Sequence, residues 1–347
     1  MQFFECPFSL HARKNPKLPA LIDNKKEWTY VECNRMIHSI TKNLKDLGIK
    51  EGDVVAFFPT YTIPTPLLFF ALYRLEAIAC PLNTYLSIGL VAKQLDQLQA
   101  AFFLYPDSLD VSSINTPTLP FSKLFIKRTY QNGTYFYQKE ALGTYLFTSG
   151  TSSAPKIACL SMGNFYYSAL GSNPYCLLET RDRWYLSLPL YHVAGISILF
   201  RCFLKGAAVI LSEKKLSCEE LIKNQTTHLS YVPTQLATLL KSSSKHLKLF
   251  CTQLKCLLIG GAPLSPYLYR EGLQCGLNLY LTYGMTEMSS QICMQKNSTR
   301  HFLSQGSLLP YRELKLASDG EVLVRGKTLF KGFLGKTRQI KHISSLA

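Results

Sequence analysis

A chain of 347 residues, 47% of them apolar, is long enough to bury a large core in two packed subdomains. Its formal charge of +16 permits anionic partners without selecting one. The 11 cysteines are odd in number, scattered singly and without a Cys-x-x-Cys pair, which excludes a disulfide framework; the seven histidines are not at ligand spacing from them, so no zinc site is expected. The uncharged, apolar run Val54 to Tyr73 is broken by Pro59, Pro64 and Pro66, which excludes a membrane span there, and Met1 to Cys6 lacks the basic and apolar blocks of a secretory signal, so a cytoplasmic location is expected.

Taken in chain order, Met36, Ile37, Ile40, Leu44 and Leu47 recur at helical spacing and stop at Gly48, which predicts an amphipathic helix with a glycine cap. Val54 to Phe58 then reads as a strand. Thr65-Pro66 reads as cap and first position of a second helix running to Leu75. Further strands are predicted at Ala101–Leu104, Tyr145–Thr148, Trp184–Ser187, Ala207–Leu211, Leu229–Val232, Cys256–Ile259 and Leu279–Thr282. Helix-length segments, such as Pro233–Lys241 and Ser265–Cys275, lie between several of them. This alternation predicts an α/β fold: layered, mostly parallel sheets with flanking helices, and ligands beyond the carboxyl ends of the strands. Arg312–Leu316 and Gly320–Arg325, split by Asp319-Gly320, predict a small β-hairpin portion near the C-terminus, and Asp107 to Tyr137 reads as an irregular surface connection.

Four strand ends carry the chemistry. Phe147 to Lys156 reads FTSGTSSAPK: the hydroxyls of Thr148, Ser149, Thr151, Ser152 and Ser153, a turn at Gly150 and the charge of Lys156 form a composition suited to phosphate. It does not fit the Walker spacing, and a Ser/Thr-rich surface loop is the plain alternative. Ser187 to Gly195 places His192 at the mouth of a strand, where a structural histidine is the commoner outcome. Leu257 to Ser265 runs a strand into Gly260-Gly261-Ala262 and then a helix start, so that backbone can approach a flat ligand. Tyr283-Gly284-Met285-Thr286-Glu287 offers an aromatic face for a base, a hydroxyl for a phosphate and a carboxylate for Mg²⁺.

In this order and spacing, the stretches resemble the adenylate-forming superfamily of acyl-CoA synthetases, firefly luciferase and peptide adenylation domains. The resemblance runs from about Pro7 to Phe333 and includes Gly48 to Val54 and Cys80-Pro81-Leu82-Asn83. Within the superfamily, Ser187 to Gly195, Ser230 to Leu236 and Tyr283 to Glu287 look most like the o-succinylbenzoate-CoA ligases of menaquinone biosynthesis. The resemblance implies ATP, Mg²⁺ and CoA as cofactor and co-substrates and a small carboxylic acid as substrate, with no nucleic-acid partner and no membrane insertion. It implies that Thr148, Ser149, Gly150, Thr151 and Lys156 surround the ATP phosphates and that Gly260, Gly261, Ala262 and Tyr283 hold adenine. Thr286 would lie near the α-phosphate, Glu287 on Mg²⁺, His192 at the carboxylate pocket and Thr234 with Gln235 beside it; Lys156, His192, Thr286 and Glu287 are thus the candidate catalytic residues. Two positions depart from the family pattern, Ser153 where glycine is usual and Ile157 where a small residue is common, which puts the loop's nucleotide contacts in question.

The resemblance divides the chain into an AMP-binding α/β domain over residues 1–300 and a terminal β portion over residues 301–333. Residues 334–347 match nothing in the family and continue a basic run of Arg325, Lys327, Lys331, Lys336, Arg338 and Lys341. Family members continue with a mobile C-terminal domain of roughly a hundred residues, a size that folds independently. It carries a catalytic lysine with no counterpart here, and loss of such a group costs roughly 10² to 10³ in rate. Three readings stay open: an o-succinylbenzoate-CoA ligase, a ligase for another aryl or fatty acid, and a truncated nucleotide-binding remnant, with a separate C-terminal polypeptide as a possible partner.

Overall fold

In the strand Val54–Phe57 successive side chains point to opposite faces, and both faces are covered. Val54 and Ala56 pack with Val91, Leu95 and Leu98 of the helix Ile88–Leu98. Phe57 meets Phe69 of the helix Pro64–Arg74 edge to face, ring centroids 5.1 Å apart. Burying a phenylalanine in this way contributes about 1.5–3 kcal/mol, which is why so apolar a run forms an inner strand. The computed structural model describes residues 2–24, 26–124, 133–148, 155–214, 216–242, 244–296 and 304–335. They form two compact units: one from the described residues of Met1–Gly163, Leu190–Val193 and Phe330 onward, the other from Asn164–Pro189 and Ala194–Leu329.

The first unit holds a seven-stranded sheet in the order Gly332–Phe333, Lys156–Ser161, Leu142–Thr148, Ile78–Pro81, Val54–Phe57, Phe102–Tyr105, Thr118–Pro120. The five strands from Leu142–Thr148 onward are parallel, and the first two join antiparallel. The second unit contributes Ala208–Ile210, Arg183–Tyr185, His228–Tyr231, Cys256–Ile259 and Leu279–Met285 in parallel, then Ser290–Lys296 and Ser307–Leu308 antiparallel. Most consecutive parallel strands are joined by helices, the exception being Phe102–Tyr105 and Thr118–Pro120, so the fold is the expected layered α/β architecture. The hairpin Arg312–Leu316 with Val322–Gly326 is also present, turned at Gly320 with φ +85°. All 11 cysteines are free and eight are buried, as small apolar fillers. Among the described residues no helix is long and apolar enough to cross a membrane.

Local differences from the sequence reading have physical causes. The first long helix begins earlier, at Tyr30, because Thr29 and Glu32 form a capping box: the Glu32 N–H donates to Thr29 Oγ1 at 3.3 Å and the Thr29 N–H to Glu32 Oε2 at 2.7 Å. The buried face is Tyr30, Cys33, Ile37, Ile40 and Leu44, while Leu47 is exposed past the helix end. Thr29→Ala is expected to lower unfolding stability by about 1 kcal/mol, read from the denaturant midpoint; an unchanged midpoint would show the box to be redundant. The next helix starts at Pro64, not after a Thr65 cap, because the Thr65 hydroxyl instead accepts the Thr60 N–H at 3.0 Å. Within Asp107 to Tyr137, the expected irregular connection, Thr118–Pro120 adds an edge strand beside Phe102–Tyr105 and Phe136–Gln138 pairs with Phe3–Glu5. Its three residues, ending in proline, are too short to show a period. The basic tail from Lys336 lies outside the described residues.

Candidate nucleotide and acid site

In the first unit, the hydroxyl-rich segment connects two antiparallel strands. Thr148 and Lys156 face each other in the register, and Thr148 Oγ1 donates to the Lys156 carbonyl at 3.3 Å. The two strands that flank the segment are therefore paired antiparallel and pinned to each other at Thr148 and Lys156. Ser149, Gly150, Thr151, Ser152 and Ser153 lie outside the described residues. Lys156 is half-buried, its Nζ 5.4 Å from the Phe333 ring centroid, and among the described residues it has no acidic partner. Ile157, the larger residue at a position where a small one is usual, points into the apolar core with Tyr145 and Cys159. That departure is accounted for by packing.

The segment Leu190–Val193 carries His192 and belongs to the first unit. His192 is exposed by area, yet neighbouring atoms desolvate it enough to lower its pKa from the ordinary imidazole value. Its ring lies 4.7 Å from that of Tyr191, and the helix Val193–Lys205 begins at the next residue.

The second unit brings the remaining candidates to strand ends. The chain passes from Arg183–Tyr185 to Ala208–Ile210 on one side and returns to His228–Tyr231 on the other, a reversal of the kind that opens a crevice at carboxyl ends. Gln235 closes the two loops there: its Oε1 accepts the Val232 N–H at 3.0 Å and its Nε2 donates to the Ser187 carbonyl at 3.3 Å. The Ser187 hydroxyl donates to the Ser230 carbonyl. Both ends of the Gln235 amide are thus engaged with backbone, and its neighbour Thr234 is exposed. Gly195 lets the following helix close against this loop, since a Cβ there would stand 2.8 Å from the Leu188 carbonyl oxygen.

One strand further, Gly260 and Gly261 follow Cys256–Ile259. A Cβ on Gly260 would meet Thr282 Cγ2 at 2.7 Å, and Gly261 has φ +81°, so each needs glycine for its own reason. Gly261 and Ala262 are exposed, leaving backbone open to a ligand, before Ser265 caps the next helix by accepting the Leu268 N–H at 3.3 Å. Tyr283 lies inside the strand Leu279–Met285, which runs three residues beyond the predicted end because Ser290–Lys296 pairs with it. The register shifts between Tyr283 and Gly284, a bulge beside the aromatic face. Thr286 and Glu287 form a 3₁₀ turn with Met288. Glu287 is half-buried and has no hydrogen-bond or ion-pair partner among the described residues.

Two buried arginines escaped the sequence reading. Arg201 donates from Nε to Ser172 Oγ at 3.1 Å and lies 5.5 Å over the Trp184 ring. Arg312 donates to three carbonyls, of Gln291, Pro310 and Ser168. Burial lowers the pKa of both. The single charge in the apolar run Ile196 to Leu204 was a usable signal for Arg201, whereas Arg312 reads as an ordinary strand residue.

The chain is 27% identical over 335 residues to a 2-succinylbenzoate–CoA ligase of Geobacillus sp. (strain WCH70), covering 92% of this chain and 68% of that one. It superposes with a TM-score of 0.87 and 26% identity on the o-succinylbenzoate coenzyme A synthetase (MenE) of Bacillus subtilis in complex with AMP, covering 96% of this chain and 90% of that chain. The same synthetase in complex with ATP and magnesium ion matches with a TM-score of 0.86 and 25% identity over 96% of this chain and 73% of that one. The family model for AMP-binding enzymes matches residues 8–334, and the chain belongs to that family.

Proposed function

We propose that this chain is an ATP-dependent acid-CoA ligase acting on o-succinylbenzoate, as in menaquinone biosynthesis. A carboxylate oxygen of the acid attacks the α-phosphorus of ATP, the bond to pyrophosphate breaks, and an acyl-adenylate results. The CoA thiol then adds to the acyl carbon and AMP leaves. AMP is a far better leaving group than oxide, which is what the first step supplies to the second. The observation that carries this reading is the likeness, over 96% of the chain, to a synthetase in complex with AMP.

The residue roles follow the site's chemistry. In the first unit we assign Thr148 with Ser149, Gly150 and Thr151, and the uncompensated charge of Lys156, to the ATP phosphates; His192, exposed and held largely neutral, borders the acid. In the second unit Gly260, Gly261, Ala262 and Tyr283 take adenine and Thr286 the α-phosphate, while Gln235 orders the loops next to Thr234 at the acid. Glu287 fits Mg²⁺: one half-buried carboxylate without a partner suits an ion that takes one or two carboxylates and otherwise binds substrate phosphates. When bound, the ion neutralises charge on those phosphates. By this reading residues 1–300 form the AMP-binding domain and residues 301–333 its terminal β portion.

Pyrophosphate exchange into ATP, measured on the 347-residue chain after cooperative unfolding is verified, tests the reading. Exchange that depends on o-succinylbenzoate is expected. Exchange only with another aryl or fatty acid would replace the substrate, and ATP binding without exchange for any acid would leave a nucleotide-binding remnant.

A further inference from the structure

The 3₁₀ turn that carries Thr286 and Glu287 leaves through an unusual backbone. Its last hydrogen bond runs from the Ser289 N–H to the Thr286 carbonyl at 3.0 Å, and Ser289 and Ser290 then take φ of +54° and +96°. Two consecutive serines in the left-handed region are strained, and such backbone persists only where its surroundings hold it.

They hold it through side chains from remote parts of the second unit. Ser289 is fully buried, and its Oγ donates to the Thr328 carbonyl at 2.9 Å. Its carbonyl accepts from Ser168 Oγ at 2.6 Å. Ser168 Oγ in turn accepts from Arg312 Nη2 at 3.1 Å, while Arg312 Nε donates to the Gln291 carbonyl at 2.5 Å and Nη1 to the Pro310 carbonyl at 2.7 Å. One guanidinium therefore fixes the chain on both sides of Ser290, through Ser168 on one side and directly on the other. Nothing in this network reaches Thr286 or Glu287 side chains, which stay free to meet a ligand.

We propose that Ser168, Ser289 and Arg312 are positioning residues for adenylation, holding the turn so that Glu287 and Thr286 keep the geometry that Mg²⁺ and the α-phosphate require. The proposal rests on the adenylation reading and adds the means by which its metal and phosphate contacts are aimed. Partners one step behind a metal ligand commonly change affinity or activity roughly 10- to 100-fold when removed.

The test separates aim from stability. Glycine at position 289 removes the hydroxyl but also relieves the left-handed strain, so Ser289→Gly is expected to melt near the wild-type temperature. Its Mg²⁺ requirement for half-maximal pyrophosphate exchange should nevertheless rise roughly 10- to 100-fold. Ser168→Ala should show the same rise, and Ser168→Thr, which keeps the hydroxyl, should restore most of it. Melting temperature, Mg·ATP binding by calorimetry and the Mg²⁺ titration of exchange are measured on each. Wild-type Mg²⁺ dependence in Ser289→Gly and Ser168→Ala would overturn the positioning role while leaving the adenylation reading intact. So would a loss of activity that only follows a loss of folded protein. A wild-type chain that neither binds Mg·ATP nor exchanges pyrophosphate would overturn the adenylation reading, and the positioning role with it.

Discussion

Glu287→Gln is expected to lower Mg²⁺-dependent pyrophosphate exchange by roughly 10²- to 10³-fold, the scale seen when one electrostatic group aimed at a developing charge is removed. The substitution keeps the size and most of the shape of the side chain but removes its charge, and a neutral amide is a poor ligand for a hard cation. Stability should hardly change, because Glu287 has no hydrogen-bond or ion-pair partner among the described residues whose loss would be felt. Leaving a charge half-buried without a partner also costs the fold something, so the variant should melt at or slightly above the wild-type temperature. The comparison is therefore clean: exchange as a function of Mg²⁺, set against a thermal melt. An unchanged exchange rate would remove Glu287 from the mechanism, and a large drop in melting temperature would recast it as a structural residue.

What could be read in the sequence and what could not divides along the range of the interactions involved. Cys256–Ile259 was legible to the residue, because an apolar run with glycines at its end reports a buried strand and its turn locally. The far end of Leu279–Met285 was not: its last residues are strand only because Ser290–Lys296 pairs back upon them across a bulge. The Thr29–Glu32 capping box was present in plain sequence and would have placed the helix start, had Thr-x-x-Glu been weighed beside the apolar period. For the site, the strand-end motifs pointed to Gly260, Gly261, Tyr283, Thr286 and Glu287 because each residue type has its own chemistry. Ser168 and Arg312 could not be found in this way. They meet across 144 positions of chain, and neither a serine within a helix nor an arginine at a strand start carries a local sign of that contact.

Gly284→Ala should have the larger structural effect, because the added methyl has nowhere to go. A Cβ at position 284 would overlap the Ser290 carbonyl oxygen and stand 2.6 Å from the Ser290 carbonyl carbon and 3.0 Å from Gln291 Cα. All three are backbone atoms of the strand paired across the bulge, so no side-chain rotation relieves the clash and the two strands must part. Overpacking of this kind costs typically about 1–3 kcal/mol, and more where the backbone is held on both sides. Here it is held: Gln291 is fixed by Arg312, and Ser289 by Ser168 and Thr328. The displacement then falls on Tyr283 and on the turn at Thr286, and a shift near 1 Å at such a place costs roughly 10²-fold in rate. Gly89 serves as the contrast, with no atom within 4 Å of a Cβ and a position in the first turn of the helix Ile88–Leu98. Gly89→Ala should be neutral or stabilising by up to about 1 kcal/mol, with exchange unchanged. If Gly284→Ala melts and exchanges like the wild type while Gly89→Ala does too, the bulge yields more easily than its contacts indicate, and the aim of the turn beyond it does not depend on a rigid strand pair.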